Sequence, residues 1–251
     1  CLQSSTMQLF PTSGPVDLKG GTLVLPAVAA ANVGELAVDV LVCSLASAGL
    51  TLVGRIECDL LLAVVGSNPY SEQKPQLATT LELYHLPETS IFIMQQRAPA
   101  AKGCQGLFAE ALAAWTAAQG VARLLVLCGL EDEAQKDEQL LGPSKNRWLG
   151  QGSEALTCVQ LGWIPLEHDL EAEEKQVHNL LPPWPLLAAA IERGLPTLLC
   201  TRLVSEGDNQ QDGVQLARYA LEWLTADSKQ LELRGPLPLC MPCSWRAVYG
   251  K

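Results

Sequence analysis

The sequence predicts an α/β protein: a three-layer sandwich with a largely parallel central sheet and helices on both faces. Short runs of β-branched and aliphatic residues alternate with amphipathic stretches of helical spacing along most of the chain, the pattern of strands joined by crossover helices. At 251 residues with 48% hydrophobic side chains, the chain is long and apolar enough to bury a full core as one such unit.

Residues 22–28 form a short apolar run that ends in small residues before Asn32. Asn32 is a favourable helix N-cap, and Glu35 three positions on completes a capping-box pattern. Val33, Leu36, Ala37, Val40, Leu41 and Leu45 share one helical face, and Gly49 marks the stop. Residues 51–56 read as a second strand, so 22–56 is expected to be a βαβ unit with its strands paired in parallel. Further strands are expected at 61–65, 79–84 and 90–96, the last two as a hairpin across Leu86-Pro87-Glu88. Leu107, Phe108, Ala111, Leu112 and Trp115 mark a second helix that stops at Gly120, and 123–128 is the strand after it. The stretch 130–183 reads as irregular and insertion-like, with a candidate strand at 158–164. Pro185 opens a helix that continues over 186–192 to Gly194. Strand 197–204 and helix 213–225 complete a single domain over residues 7–236, and 237–251 is a C-terminal tail.

With 17 basic and 27 acidic side chains the formal charge is -10, which repels phosphate backbones and anionic lipid. Nucleic acid is therefore not an expected partner, and the acidic stretches 131–138 and 167–174 read as solvated surface. No uninterrupted apolar run approaches the roughly 18 residues of a membrane span. A cationic-then-apolar leader and an Asn-x-Ser/Thr sequon are also missing. The expectation is a soluble protein of the cytoplasm and nucleus with no membrane partner. Nine cysteines is an odd number, and Cys43, Cys128 and Cys200 lie in apolar segments as small hydrophobes of a reducing compartment. Cys240-Met241-Pro242-Cys243 is the one CxxC pair, and a single pair cannot complete a four-ligand zinc site. His85, His168 and His178 have no ligand spacing to it, so neither metal nor cofactor is expected.

No GxxxxGK[ST] loop, GxSxG elbow or HExxH helix occurs. Gly150-Gln151-Gly152-Ser153-Glu154-Ala155 fits GxGxxA but follows Asn146-Arg147-Trp148-Leu149 in the irregular middle, and reads as a surface loop. Val204-Ser205-Glu206-Gly207-Asp208-Asn209 joins a strand to a helix, at the kind of strand end where α/β folds meet ligands. It is either a catalytic corner or a structural turn. In the favoured, structural reading Gly207 takes a positive φ and Asp208 and Asn209 bond the following amides. Asn32, Asn68 and Asn209 each follow an expected strand and could converge at the carboxyl edge of the sheet, although cap and turn duty explains each alone.

Pro26-Ala27-Val28 leads into Asn32-Val33-Gly34-Glu35-Leu36-Ala37. Val65-Gly66-Ser67-Asn68-Pro69-Tyr70, the Glu206 hexapeptide and Ser244-Trp245-Arg246 then follow in order. This ordered set, from about residue 7 to 249, resembles the proteasome assembly chaperone 2 family. Within it Asn32, Gly34, Gly66, Asn68, Pro69, Tyr70, Glu206, Gly207, Asp208, Asn209 and Trp245 are read as structural turn motifs. Met7 falls where such proteins begin, which makes 1–6 an upstream extension. The resemblance implies a non-enzymatic assembly factor that pairs with proteasome assembly chaperone 1 and sits on the alpha-subunit ring of the proteasome. Some chaperones of this kind end in a hydrophobic residue, a tyrosine and one last residue, a tail that inserts between alpha subunits. This chain ends Ala247-Val248-Tyr249-Gly250-Lys251, so Val248, Tyr249 and Lys251 are the partner-binding candidates, with two residues after the tyrosine instead of one. Trp245 is expected to pack on the domain. Two competing classes are an enzyme of the nucleoside phosphorylase or hydrolase kind, which an Arg or His anion site near Glu206 would favour, and a dithiol oxidoreductase built on Cys240 and Cys243.

Overall fold

Leu23, Val24 and Leu25 have almost no solvent exposure because their strand runs through the middle of an eight-stranded sheet. The computed structural model describes residues 7–73, 76–133, 144–227 and 237–245. Its strands are β1 (Gln8–Pro11), β2 (Thr22–Pro26), β3 (Thr51–Glu57), β4 (Val65–Ser67), β5 (Leu77–Thr79), β6 (Leu81–Leu86), β7 (Ile91–Gln96), β8 (Arg123–Glu131), β9 (Asn146–Leu149) and β10 (Thr197–Val204). Its helices are α1 (Val33–Leu45), α2 (Gln105–Ala118), α3 (Gly152–Gln160), α4 (His168–His178), α5 (Trp184–Glu192) and α6 (Gln210–Asp227).

The sheet order is β1-β3-β6-β7-β2-β8-β10-β9, and β4 and β5 form a separate two-stranded sheet. Pairings within β7-β2-β8-β10 are parallel, whereas β1, β3 and β6 on one flank and β9 on the other pair antiparallel. The sheet is therefore mixed, with a parallel centre, where a largely parallel one was expected. The difference comes from short connections: the Pro87-Glu88 hairpin, with Glu88 at φ 62, can only return antiparallel. It also corrects the expected βαβ pair. β2 and β3 point the same way but are not neighbours, because β6 and β7 insert between them.

The pleat sends alternate residues of β8 to opposite faces. Leu124, Val126, Cys128 and Leu130 join a core cluster with residues of α2 and α5, while Leu125 and Leu127 join one with residues of α1 and α6. The β2–α1 turn lies directly on β8. A Cβ at Gly34 would stand 2.3 Å from the Leu127 carbonyl oxygen, and one at Gly129 would stand 2.3 Å from that of Ala30. Ala27 N–H donates to the same Leu127 carbonyl at 2.8 Å, which accounts for the run of small residues there. Asn32 is left-handed at φ 53 and makes no side-chain cap bond, so the capping expected of it fails; the tight turn needs αL residues, and Ala31 shares that conformation.

Cys158 belongs to α3 instead of a strand over 158–164, and Gly162 at φ 71 turns the chain after it. The Gly150 to Ala155 stretch is the β9–α3 junction, not a loop. Between 61 and 65 only a Leu61–Ala100 bridge forms before β4 begins. The middle stretch holds β9, α3 and α4, and β9 is integral to the sheet through Arg147. This side chain is 2% exposed, its Nε lies 2.9 Å from both Glu167 oxygens, and its Nη1 donates to the Ser144 and Asn146 carbonyls. Residues Ala30–Ala48 are, by length and mean hydropathy, long and apolar enough to cross a membrane, although Glu35 and Asp39 interrupt the run. In this fold the segment is a core element, with α1 packed between the sheet and α6.

Candidate partner-binding site

Asn68 Oδ1 accepts the amide of Tyr70 at 3.0 Å, a short Asx turn that aims the Tyr70 ring inward. There Tyr70 OH donates to Asp39 Oδ1 at 2.6 Å. The same oxygen accepts Gln95 Nε2 at 2.6 Å and Arg97 Nη1 at 3.2 Å. Arg97 also donates from Nη2 to Tyr70 OH at 2.8 Å and from Nε to Glu82 Oε2 at 3.4 Å. Glu82, only 2% exposed, accepts Tyr84 OH at 3.0 Å and the Thr79 amide at 3.2 Å. Residues from α1, β6, the end of β7 and the Asn68-Pro69-Tyr70 loop thus share one buried polar centre.

Its electrostatics favour a fixed set of charges. Burial opposes the Arg97 charge, but Tyr70, Asp39 and Glu82 around it outweigh that cost and hold the guanidinium protonated. Burial, reinforced by Asp39, pushes the Tyr70 hydroxyl far up, and burial with Glu82 does the same to Tyr84. Both therefore stay neutral donors. Next to this centre, burial raises the Glu35 carboxyl to about 8, and Asp39 adds to the rise.

Two surface features hang from the centre. One is the β4–β5 hairpin, tied in by the Glu82–Thr79 bond and by the Val64 amide on Thr80 Oγ1 at 2.9 Å. It holds Val65 and Leu77 at 68% and 60% exposure, with Leu62 and Val64 beside them. Exposed Phe10 of β1 lines the same depression as Leu61, Ala63, Thr79 and Thr80. Leu62, Val64, Val65 and Leu77 thus expose apolar side chains on and beside one small hairpin, and exposed apolar patches are a common mark of interaction sites. The other is the C-terminal segment 237–245. The Pro69 carbonyl accepts the Ser244 amide at 3.2 Å and the Cys243 thiol at 3.3 Å, and Ser44 Oγ accepts the Cys240 amide at 2.8 Å. Trp245 is 6% exposed in the α1–α6 cluster.

The remaining motif residues scatter. Asn209 Nδ2 donates to the Ser205 and Gly207 carbonyls, Asp208 Oδ1 accepts the Gln210 amide, and Ser205 Oγ donates to Asp132. Gly207 has φ 155, and Glu206 is exposed and enters no hydrogen bond or ion pair among the described residues. Asn68 follows β4 of the small sheet, so it does not join Asn32 and Asn209 at the carboxyl edge of the central one. Gly66 is a β4 residue with ordinary φ and open space around it, and Gly34 serves helix–strand contact, so neither is a turn. Val248, Tyr249 and Lys251 lie outside the described residues. Asp39, Glu82, Gln95 and Arg97 were not singled out from sequence. The available signal was a polar residue breaking an apolar strand, as Glu82 does in Leu81-Glu82-Leu83.

The PAC2 family model matches residues 23–200. The chain belongs to the PAC2 family. Proteasome assembly chaperone 2 of Bos taurus is 30% identical over 251 residues, covering 93% of each chain. Among solved structures, PbaA of Pyrococcus furiosus, described as an archaeal homolog of proteasome-assembly chaperone, aligns with a TM-score of 0.63 and 14% identity over 92% of this chain and 84% of its own. PbaB of the same organism, an archaeal proteasome activator, aligns with a TM-score of 0.61 and 12% identity over 92% and 91%. At such identities these two structures establish the shared mixed α/β fold. The whole polar centre lies within the matched span, and the C-terminal segment that rests on it lies beyond.

Proposed function

We propose that this PAC2-family chain is a proteasome assembly chaperone that pairs with proteasome assembly chaperone 1 and engages the alpha-subunit ring of the nascent 20S core particle, in cytoplasm and nucleus, without bond chemistry of its own. The observation that supports it is the apolar surface around Val65 and Leu77, held out from the domain by a buried polar anchor. Obligate partners bury such surfaces, and water tolerates them poorly. The names of the relatives point to the same role.

The phosphorylase-like alternative draws no support from the strand ends. At the carboxyl ends of β2 and β7, where α1 and α2 depart to opposite faces, α/β enzymes hold their substrates. Here that place is a cavity of about 190 Å³ lined by Pro26, Ala27, Phe108, Leu112, Leu186 and other residues, none of them charged. Gln96 and Gln105 supply its polar side chains, a poor match to an anionic substrate.

Affinity purification of the full chain from cells tests the proposal. Wild type should recover proteasome assembly chaperone 1 together with alpha subunits. The double substitution Val65→Asp, Leu77→Asp should lose the chaperone partner at an unchanged melting temperature. Recovery of neither partner by wild type would reject the reading.

A further inference from the structure

The only Cys-x-x-Cys pair of the chain does not stand alone in the fold. Cys43 on α1 places its Sγ 3.6 Å from the carbonyl oxygen of Met241, inside that pair. The neighbouring α1 residue, Ser44, accepts the Cys240 amide at 2.8 Å, which fixes the Cys240 backbone beside Cys43. The Cys240 thiol lies 3.7 Å from the Pro238 carbonyl, and the Cys243 thiol lies 3.3 Å from the Pro69 carbonyl. Cys240 is exposed, whereas Cys43 and Cys243 are half-buried. An entry thiol open to solvent, with a sheltered thiol beside it, is the arrangement that thiol–disulfide exchange requires.

We propose that Cys43 and Cys240 are a thiol–disulfide site, closed by a low-molecular-weight disulfide into a bridge that fastens segment 237–245 to α1. The Cys240 thiolate attacks one sulfur of the external disulfide; that S–S bond breaks, one small thiolate leaves, and a mixed disulfide remains on Cys240. Cys43 then gives its proton to solvent, and its thiolate attacks Cys240 Sγ. The protein S–S bond forms and the second small thiolate departs. Two protein thiols are oxidised, and one external disulfide is reduced to two thiols. Burial pushes the Cys43 thiol up to about 11, and Cys240, Cys243 and Asp39 nearby add to the rise, so its attack in the second step speeds up as pH rises. Cys243 is not consumed. The bridge needs none of the proposed partners, so it stands or falls independently of the assembly role.

The test uses the reduced full chain, desalted, incubated with oxidised glutathione and digested with trypsin without reductant. Cys43 falls in tryptic fragment 20–55, and Cys240 and Cys243 fall together in fragment 235–246. The two fragments should be recovered joined, and dithiothreitol should separate them. Cys240→Ser should abolish the joined species and Cys243→Ser should retain it, each at an unchanged melting temperature of the reduced protein. A glutathione adduct alone, a bridge confined to fragment 235–246, or joining that survives Cys240→Ser would overturn the proposal.

Discussion

The two faces of the central sheet solve the same burial problem in opposite ways. Strands β6 and β7 supply both. Leu81, Leu83, Phe92 and Met94 enter the α2–α5 cluster, which borders an uncharged cavity of about 190 Å³. Glu82, Tyr84 and Gln95 point to the α1 side, where Asp39 and Arg97 complete a set of mutual bonds. An apolar face tolerates a void at modest cost, because its atoms lose only contact. A polar face does not, because every buried charge must find a partner. What is gained on the polar side is direction: the bonds of Tyr70, Thr79 and the Pro69 carbonyl fix where the hairpin and the C-terminal segment leave the domain.

Removing the cation should break this contrast most sharply. Arg97→Met leaves Asp39 and Glu82 buried without it and is expected to cost about 3–5 kcal/mol. Urea unfolding would measure the loss, and pairing with Asp39→Asn should give less than the sum of the single losses, as expected for groups acting as a unit. Gly34→Ala comes next. A methyl group 2.3 Å from the Leu127 carbonyl forces α1 off β8, with an expected loss of about 2–3 kcal/mol by the same assay.

Glu35 tests the polar side through pH. Its carboxyl is raised from 4.5 to about 8, so between those values the folded state holds a proton that the unfolded chain has released. Stability on this account is full below the lower value and falls as pH rises through the window. Glu35→Gln should therefore change little near the acid end, gain about 1–3 kcal/mol above the window, and flatten the slope between. Unfolding midpoints at several pH values across it decide the matter; an unchanged slope would place the proton elsewhere. The smallest effect belongs to the apolar face and has the opposite sign to the first two. Ala109→Leu extends into the cavity and should add about 0.5–1 kcal/mol, visible as a small rise in melting temperature.

What the sequence revealed, and what it withheld, divides along physical lines. Strand 197–204 coincides with β10, and the Gly49, Gly120 and Gly194 stops all hold positive φ, because local periodicity and glycine punctuation are written in neighbouring residues. The neighbour relations of β2 and β3 are not, since they depend on where a hairpin 25 or so residues further on inserts itself. The middle stretch misled for another reason. β9 is a short strand whose buried cation, Arg147, looks like surface until Glu167 is brought to it. For the candidate site, the Asn68-Pro69-Tyr70 loop was visible as a motif, but its purpose was not. Asp39, Glu82 and Arg97 come from three separate elements, and only folding shows that their charges balance.

The bond between the Cys240 amide and Ser44 Oγ joins residues 196 positions apart. During synthesis α1 is made early, yet the segment that covers its end emerges only after every strand of the sheet. Until then the apolar and thiol-bearing end of α1 lies open to solvent, and loop closure over so long a span is slow to form. A nascent chain can complete its sheet and still lack its last packing contact. The contacts of this segment with Ser44 and with the Pro69 carbonyl therefore form only when translation has passed Trp245.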